Sequence, residues 1–560
     1  MSNEIISHKF KELLLPSLLI AMALNITSVV DSSFVSTFLG SYAQAALQVL
    51  QPLVLLITIF EWLFGLGGQI LALNKKAEFD EDGSNHYFTT SMLATIVLSV
   101  LILLVCVLFK DTLIGLLYPP QGALPYVNAY SSYLFLSFPI ATIVGVLCQF
   151  IRVDGHPNFA SGVIILVNVI NIILDYLFLG VFHMGVEGAS LAMFIGYVVG
   201  LLCTLKYHFD SKRTFRFVLS KLKFRTWITS TIEIIKIGLP GASMGFFNVL
   251  LIYIMNLIVG GILGELGLDI FNVCVISLLL ISILIMGFAE TLSSIVPIYY
   301  AQNDFYNLRH IVRNSLIITL ACSLIFTVFL LIYPDGLLIF FKLHQMPNDA
   351  MVENAIRMYS LAFVPTAFST MLLFYYEGIE RTVESGIITI ISEFLGPLMF
   401  TYMLYPYIGI TSVWLSFPLG VILSIVTVVI YVRIVQRKDS EYSGLFFIRK
   451  GLIEKTRNYT LESKNDDGKS EMFNHLKSLN VDNSFIESLD KIINIIFDSN
   501  NEKVHVEILL IDYGDKISIN MKDEGKREVM KDIEKSFSKD NIKVSEVLGF
   551  NNIEYVINRS

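Results

Sequence analysis

Arg152-Val153-Asp154-Gly155, followed by Ser161-Gly162 and then Gly185-Val186-Glu187, has a counterpart in Tyr375-Tyr376-Glu377-Gly378, Ser385-Gly386 and Gly409-Ile410-Thr411, about 224 positions on. Tyr133 to Pro139 matches Tyr359 to Pro365 in the same way, and Gly65 with the polar Asn74 to Asp80 has an echo in Gly287 with Gln302 and Asn303. The repeat unit is half a membrane domain, because apolar runs long enough to cross ~30 Å of hydrocarbon as helices fill both copies. Their expected spans are 12–38, 46–73, 87–109, 126–150, 159–180 and 187–207, then 233–260, 267–300, 310–333, 353–378, 384–406 and 408–434. Six helices in each half keep the two halves parallel, and the layout is that of a transporter whose halves rock about a central site.

Composition agrees with this reading. Of 560 residues, 54% are hydrophobic and only 16% charged, with a mean hydropathy of +0.66, so most of the chain belongs in a membrane. A net charge of −8 excludes a nucleic-acid binder that works by bulk charge. The five cysteines, Cys106, Cys148, Cys203, Cys274 and Cys322, sit singly in apolar stretches, which speaks against a disulfide scaffold or a Cys/His metal site. About 40 of the 88 charged residues fall in the last ~120 positions. The chain is therefore expected to divide into a six-helix lobe at 1–208, a basic linker at 209–232, a second lobe at 233–438, a polar linker at 439–470 and a soluble domain at 471–560.

Lysine and arginine collect on one side of the spans: Lys9, Lys11, Lys75, Lys76, Arg152, the group from Lys206 to Arg225, Arg309, Arg313, Arg381 and Arg433. The alternate loops, such as Gly40 to Gln44, carry almost none. By the positive-inside rule both termini are expected in the cytoplasm of a multi-pass protein of the cell membrane.

Asp31-Ser32-Ser33-Phe34-Val35 with Phe38-Leu39-Gly40, Arg152-Val153-Asp154-Gly155-His156-Pro157, Asn171-Ile172-Ile173-Leu174-Asp175 and Met184-Gly185-Val186-Glu187-Gly188-Ala189 together resemble the multidrug and toxic compound extrusion (MATE) family over nearly all of residues 1 to 435. The resemblance implies an all-α polytopic membrane protein, two pseudo-symmetric six-helix bundles forming a V around a central cavity, and export of amphiphilic or cationic organic molecules in exchange for H⁺ or Na⁺. It also implies that Asp31, Asn171 and Asp175 form the cation-coupling centre. The residues support that choice, since a carboxylate at this depth costs ~2.5–3.5 kcal/mol unless it faces a cavity or finds partners. Two neighbouring carboxyls out of water can hold a proton or ligate Na⁺, and the sequence leaves the ion open. One departure stands beside this site: Met193 replaces the threonine frequent in the family. Glu61, Glu290, Asn168 and Asn25 are candidates for the substrate cavity.

The tail combines a helical pattern, Phe485 to Phe497, with strand-like runs at Val504 to Ile511, Lys516 to Met521 and Ile553 to Ile557 and a helix at Lys526 to Ser536, predicting a small cytoplasmic α+β sandwich. It resembles the ATP-binding domain of histidine kinases and anti-sigma-factor kinases. Asp490 and Asn494 stand where that family holds Mg²⁺, and Asp523 with Gly525 where it reads adenine. No Gly-rich loop follows, since Gly549 is isolated. A regulatory domain with a cytoplasmic partner is therefore preferred to one that binds ATP and Mg²⁺. Lipid surrounds the helices as a matter of course. An enzyme is not expected. A flippase of a lipid-linked or amphipathic substrate, or a membrane sensor signalling through the tail, are the alternative functions.

Overall fold

The structure is a computed structural model that describes residues 4–117, 120, 122–209, 213–219, 223–336, 349–438, 441–464, 466–500, 504–537 and 541–558. Among them, eleven helices are long and apolar enough to cross a membrane: α1 (Ile5–Leu39), α2 (Ser41–Ala77), α3 (Glu81–Leu108), α4 (Leu124–Val153), α5 (Pro157–Val181), α6 (Gly185–Tyr207), α7 (Phe224–Ala301), α8 (Phe305–Ile332), α9 (Ala350–Gly378), α10 (Thr382–Ile408) and α11 (Thr411–Lys438). The stretches expected as spans 233–260 and 267–300 both fall in α7, whose 78 residues would reach ~117 Å if straight. It is not straight. Gly264 adopts φ 63° and ψ −144° inside it, a conformation open to glycine and strained for residues with a Cβ.

Gly264 stands where the repeat places Gly40, which parts α1 from α2 at φ 84° and ψ −174°. The register continues beyond the break: α3 and α8 are both 28 residues long. Each begins after an aspartate that caps it, Asp80 accepting from the Gly83 amide and Asp304 from the Asn307 amide.

After α11 the chain forms a short antiparallel hairpin, β1 (Tyr442–Ser443) and β2 (Ile448–Arg449). Next comes β3 (Thr456–Leu461), the edge of a five-stranded antiparallel sheet of order β3-β4-β5-β7-β6 with β4 (Val506–Asp512), β5 (Lys516–Asp523), β6 (Ile542–Val547) and β7 (Phe550–Asn558). The stretch 439–470, expected as a linker, thus holds a hairpin and a strand of the sheet, and the folded tail begins with that hairpin at Tyr442 instead of at 471. Polarity misled the reading: edge strand β3 keeps Arg457 at solvent while its backbone pairs with β4. Helices α12 (Asp467–Ser478), α13 (Asn483–Ser499) and α14 (Glu528–Ser536) complete the unit.

The sheet is buried on both faces. Ile508 and Leu510 of β4 with Ile517, Ile519 and Met521 of β5 pack into the tail's own core with α12 and α13. Leu509 and Ile511 point the other way, into the core shared with the membrane helices. This explains why Val506–Asp512 reads as a nearly unbroken apolar run. Polar residues on that second face, Glu507, Ser518, Asn520 and Lys522, are buried as well, because the membrane part covers them.

Candidate functional site

Asp31 on α1 and Asp175 on α5 face each other within hydrogen-bond reach. Asn171, one turn before Asp175, donates its side-chain amide to Asp175 Oδ2 at 3.1 Å. Oδ1 of each aspartate is buried with no donor beside it. Asp31 and Asn171 line a cavity of about 220 Å³ together with Asn168, Thr27, Gln51 and Met193. Its lining comes wholly from α1, α2, α5 and α6, the N-terminal half. Met193, the departure noted in the sequence, therefore faces this cavity.

Asn168 donates to the Ile164 carbonyl at 2.8 Å and Asn25 to the Ala21 carbonyl at 2.7 Å, each bonding back to its own helix. Asn25 belongs to a second cavity of about 240 Å³ between the halves, where it joins Glu61, Trp62, Gln149, Arg152 and Glu290. There Arg152 on α4 pairs with Glu290 on α7 at 2.8 Å. It also donates to Gln149 Oε1 at 2.7 Å, and Gln149 in turn donates to Glu61 Oε1 at 3.4 Å. Arg152 was expected in a basic loop but is 2% exposed inside the last turn of α4. Its signal was in the sequence: no break separates it from the apolar Phe150-Ile151, and Gln149 precedes it by one turn. Lys76, also assigned to a loop, is buried and pairs with Asp154 at 3.3 Å.

Among the described residues, three π-turns widen these helices, at Glu61–Leu66 in α2, Tyr176–Val181 in α5 and Ile391–Leu395 in α10. Glu61 opens the first, Asp175 directly precedes the second and Glu393 lies in the third, so each bulge turns the helix beside a carboxylate.

The halves meet closely at the end where the tail docks. Gly67 of α2 lies against Gly238 of α7, and a Cβ on Gly67 would stand 2.9 Å from the Gly238 nitrogen. Tyr87 donates to Glu233 at 2.8 Å, His86 and Ser230 lie 2.8 Å apart, and Asn74 donates to Glu380. The tail spans this seam. Toward the first half, Glu507 accepts from the Ile5 amide at 2.9 Å, Glu524 lies 3.6 Å from Lys9, and the Gly549 backbone abuts Gly155. Toward the second, Lys522 pairs with buried Asp304 at 2.9 Å and sits 3.8 Å from the Tyr299 ring centroid, while Tyr375 and Tyr376 donate to the Phe446 and Leu445 carbonyls in the hairpin turn.

The nucleotide candidates of the tail form two separate groups. Asn494 donates to Asp490 at 3.1 Å, and Lys469 of α12 contacts both. Asp523 accepts from the Gly525 amide at 2.8 Å and from Asn551 at 2.9 Å, and burial pushes its carboxyl up to about 6. These residues do not fit Mg²⁺ and ATP: the Lys469 ammonium already supplies the positive charge to Asp490 and Asn494. A side chain on Gly525 would strike Asn500, and Glu524 next to Asp523 engages His8 and Lys9 of α1.

The membrane part superposes on solved transporters. An outward-facing multidrug resistance transporter of the MOP superfamily matches with a TM-score of 0.70 at 20% identity, covering 77% of this chain and 96% of that one. A MOP superfamily transporter from Pyrococcus furiosus matches at 0.69 with the same identity and coverage. The MatE family model matches residues 16–177 and 240–403, once in each half, and the chain belongs to that family of transporters. Among its relatives, the multidrug export protein MepA of Staphylococcus haemolyticus is 26% identical over 293 residues, 52% of this chain and 63% of that protein's length. The MepA of Staphylococcus saprophyticus is 23% identical over 356 residues, 62% of this chain and 76% of the relative.

Proposed function

We propose that this chain is a secondary active exporter, exchanging H⁺ or Na⁺ for amphiphilic or cationic organic molecules by alternating access. The observation that carries the reading is the Asp31, Asn171 and Asp175 cluster: Oδ1 of each aspartate is buried without a donor, and Asp31 and Asn171 border a cavity confined to one half. Buried carboxyl oxygens without donors are costly, and a proton or a dehydrated Na⁺ held between them removes that cost. Ion uptake is thereby linked to the packing of α1 against α5. The substrate lies in the cavity between the halves, where Glu61 and Glu290 favour a cation and Trp62 offers a flat apolar face. In this reading α7 counts as two spans parted at Gly264, giving twelve, with both termini in the cytoplasm of a cell-membrane protein.

Opening toward the tail side requires Arg152 to leave Glu290 and Gly67 to leave Gly238. The tail holds both halves across that seam, so its docking opposes the opening. We read it as a regulator that acts by binding and releasing the halves. MepA's name as a multidrug export protein supports the substrate class.

The test is efflux of fluorescent organic cations from proteoliposomes containing the full chain, with proton and Na⁺ gradients imposed separately. Efflux that follows one gradient and is lost in Asp31→Asn is expected. Efflux unaffected by Asp31→Asn sinks the coupling centre, and no efflux under either gradient turns the reading toward a flippase or a sensor.

A further inference from the structure

At the junction of α8, α9 and the β1–β2 hairpin lies a third cavity, the largest of those described, with a volume of about 480 Å³. Leu308, Val312 and Leu316 line it from α8, Tyr375 from α9, and Phe446 and Ile448 from the hairpin. These walls are apolar. The cavity's cations are Arg309 and Arg313, four residues apart on α8 and so one turn apart on one face, both exposed. No acidic side chain lines the cavity among the described residues, and neither arginine has a carboxylate within ion-pair distance there. Ile317, one turn further along the same row, is 53% exposed. It belongs to the surface that α8 turns toward hydrocarbon, with Ile318, Leu324 and Ile325, so the cavity opens sideways into the membrane.

We infer that this cavity is a binding site for an anionic phospholipid, with its acyl chain along Leu308, Val312, Leu316, Phe446 and Ile448 and its phosphate held by Arg309 and Arg313. The two guanidiniums present planar forks that match phosphate oxygens, and they stand at the helix end where a headgroup lies. The apolar walls suit a chain and offer nothing to a free anion. A zwitterionic headgroup has the same phosphate but brings its own cation against the arginines, so net negative charge is what the site selects. Part of the wall belongs to the tail. The hairpin supplies Phe446 and Ile448, and its turn is tied to α9 through Tyr375 and Tyr376, so a bound lipid fastens the start of the tail to α8. The site lies apart from both transport cavities and does not depend on which ion or substrate is carried.

The experiment is native mass spectrometry of the full chain titrated with phosphatidylglycerol, phosphatidylcholine or inorganic phosphate. One to two phosphatidylglycerol molecules are expected to be retained, with phosphatidylcholine about tenfold weaker and phosphate not retained. Arg309→Gln with Arg313→Gln should weaken phosphatidylglycerol by about tenfold or more, whereas Arg433→Gln, which removes an exposed cation near the end of α11, should not. Leu316→Trp, which fills the cavity while leaving both arginines, should lower retention too. Equal retention by the double variant and the unaltered protein overturns the inference. So does retention of phosphatidylcholine equal to phosphatidylglycerol, an equal loss in Arg433→Gln, or inorganic phosphate bound as strongly as the lipid.

Discussion

The two halves of the membrane domain share a register but not a chemistry. Gly40 and Gly264 break the chain at the same repeat position, and Asp80 and Asp304 cap the same helix. Asp31, however, has Met255 as its counterpart in that register and Asp175 has Met399. Met255 is fully buried, with the Thr401 hydroxyl against its sulfur, while Met399 faces outward. Duplication supplied two copies of a scaffold whose turns and caps the backbone demands at fixed places. The polar centre meets no such demand, and only one half carries it. In the proposed mechanism, coupling therefore belongs to the first half, and the second serves as the body it moves against.

The strongest way to break this comparison is at the aspartates. Asp31→Asn and Asp175→Asn are each expected to abolish ion-coupled export in proteoliposomes while leaving a folded protein. Adding Met255→Asp to Asp31→Asn should restore nothing; recovery would mean that the halves are interchangeable after all.

Next in size is the pair that joins them. Arg152→Ala strands Glu290 in a largely buried cavity and should lower stability by about 3–5 kcal/mol in chemical unfolding. Arg152→Gln with Glu290→Gln should recover much of that, and additive losses would show that the two residues act independently.

A smaller effect is expected where backbones touch. Gly67→Ala and Gly238→Ala place a methyl against the facing helix, a Cβ on Gly238 falling 2.8 Å from the Leu63 Cα. Each should destabilise the closed seam by about 1–3 kcal/mol, read as faster thiol labelling of a cysteine placed at Thr58 in the inter-half cavity. Gly261→Ala, with nothing within 4 Å, should leave labelling unchanged.

A further effect concerns pH. Burial pushes the Glu507 carboxyl up to about 7 from an ordinary 4.5, against the pull of Lys522 and the Ile5 amide and with Asp304 and Glu524 adding to the rise. Docked tail thus binds a proton that undocked tail releases between those values. Docking has its full strength from this group below pH 4.5 and loses it as pH climbs to about 7. Hydrogen exchange of β4 and β5 should speed up across that window, and Glu507→Gln should remove the dependence.

Much of the membrane part was legible in the sequence because apolar length and a repeat with glycine at its breaks are local signals. Asp31 and Asp175 stood out because charge is rare at that depth, whereas Asn171 came from the family resemblance alone; the structure brings the three together. Arg152 was not placed although its unbroken run with Phe150-Ile151 was there to read, and Lys76 was not placed because a buried cation in a polar stretch has the same sequence as a loop cation until its partner is known. The tail's strands at Val506 and Lys516 announced themselves by apolar runs, whereas β3 and β6 are edge strands with polar faces and gave no such signal. That the second face of the sheet is covered could have been suspected from Leu509 and Ile511, but nothing local names the membrane helices as the cover.

The bond from the Ile5 amide to Glu507 joins residues 502 positions apart, and this sets an order of birth. At ~5–20 residues per second a ribosome needs roughly half a minute to two minutes to travel that distance. Throughout that interval the first helix is in the membrane with its leading amide uncapped. A strand of the tail, β4, is what completes α1, so a message cut short before β4 leaves the Ile5 amide without its partner as well as removing the sheet.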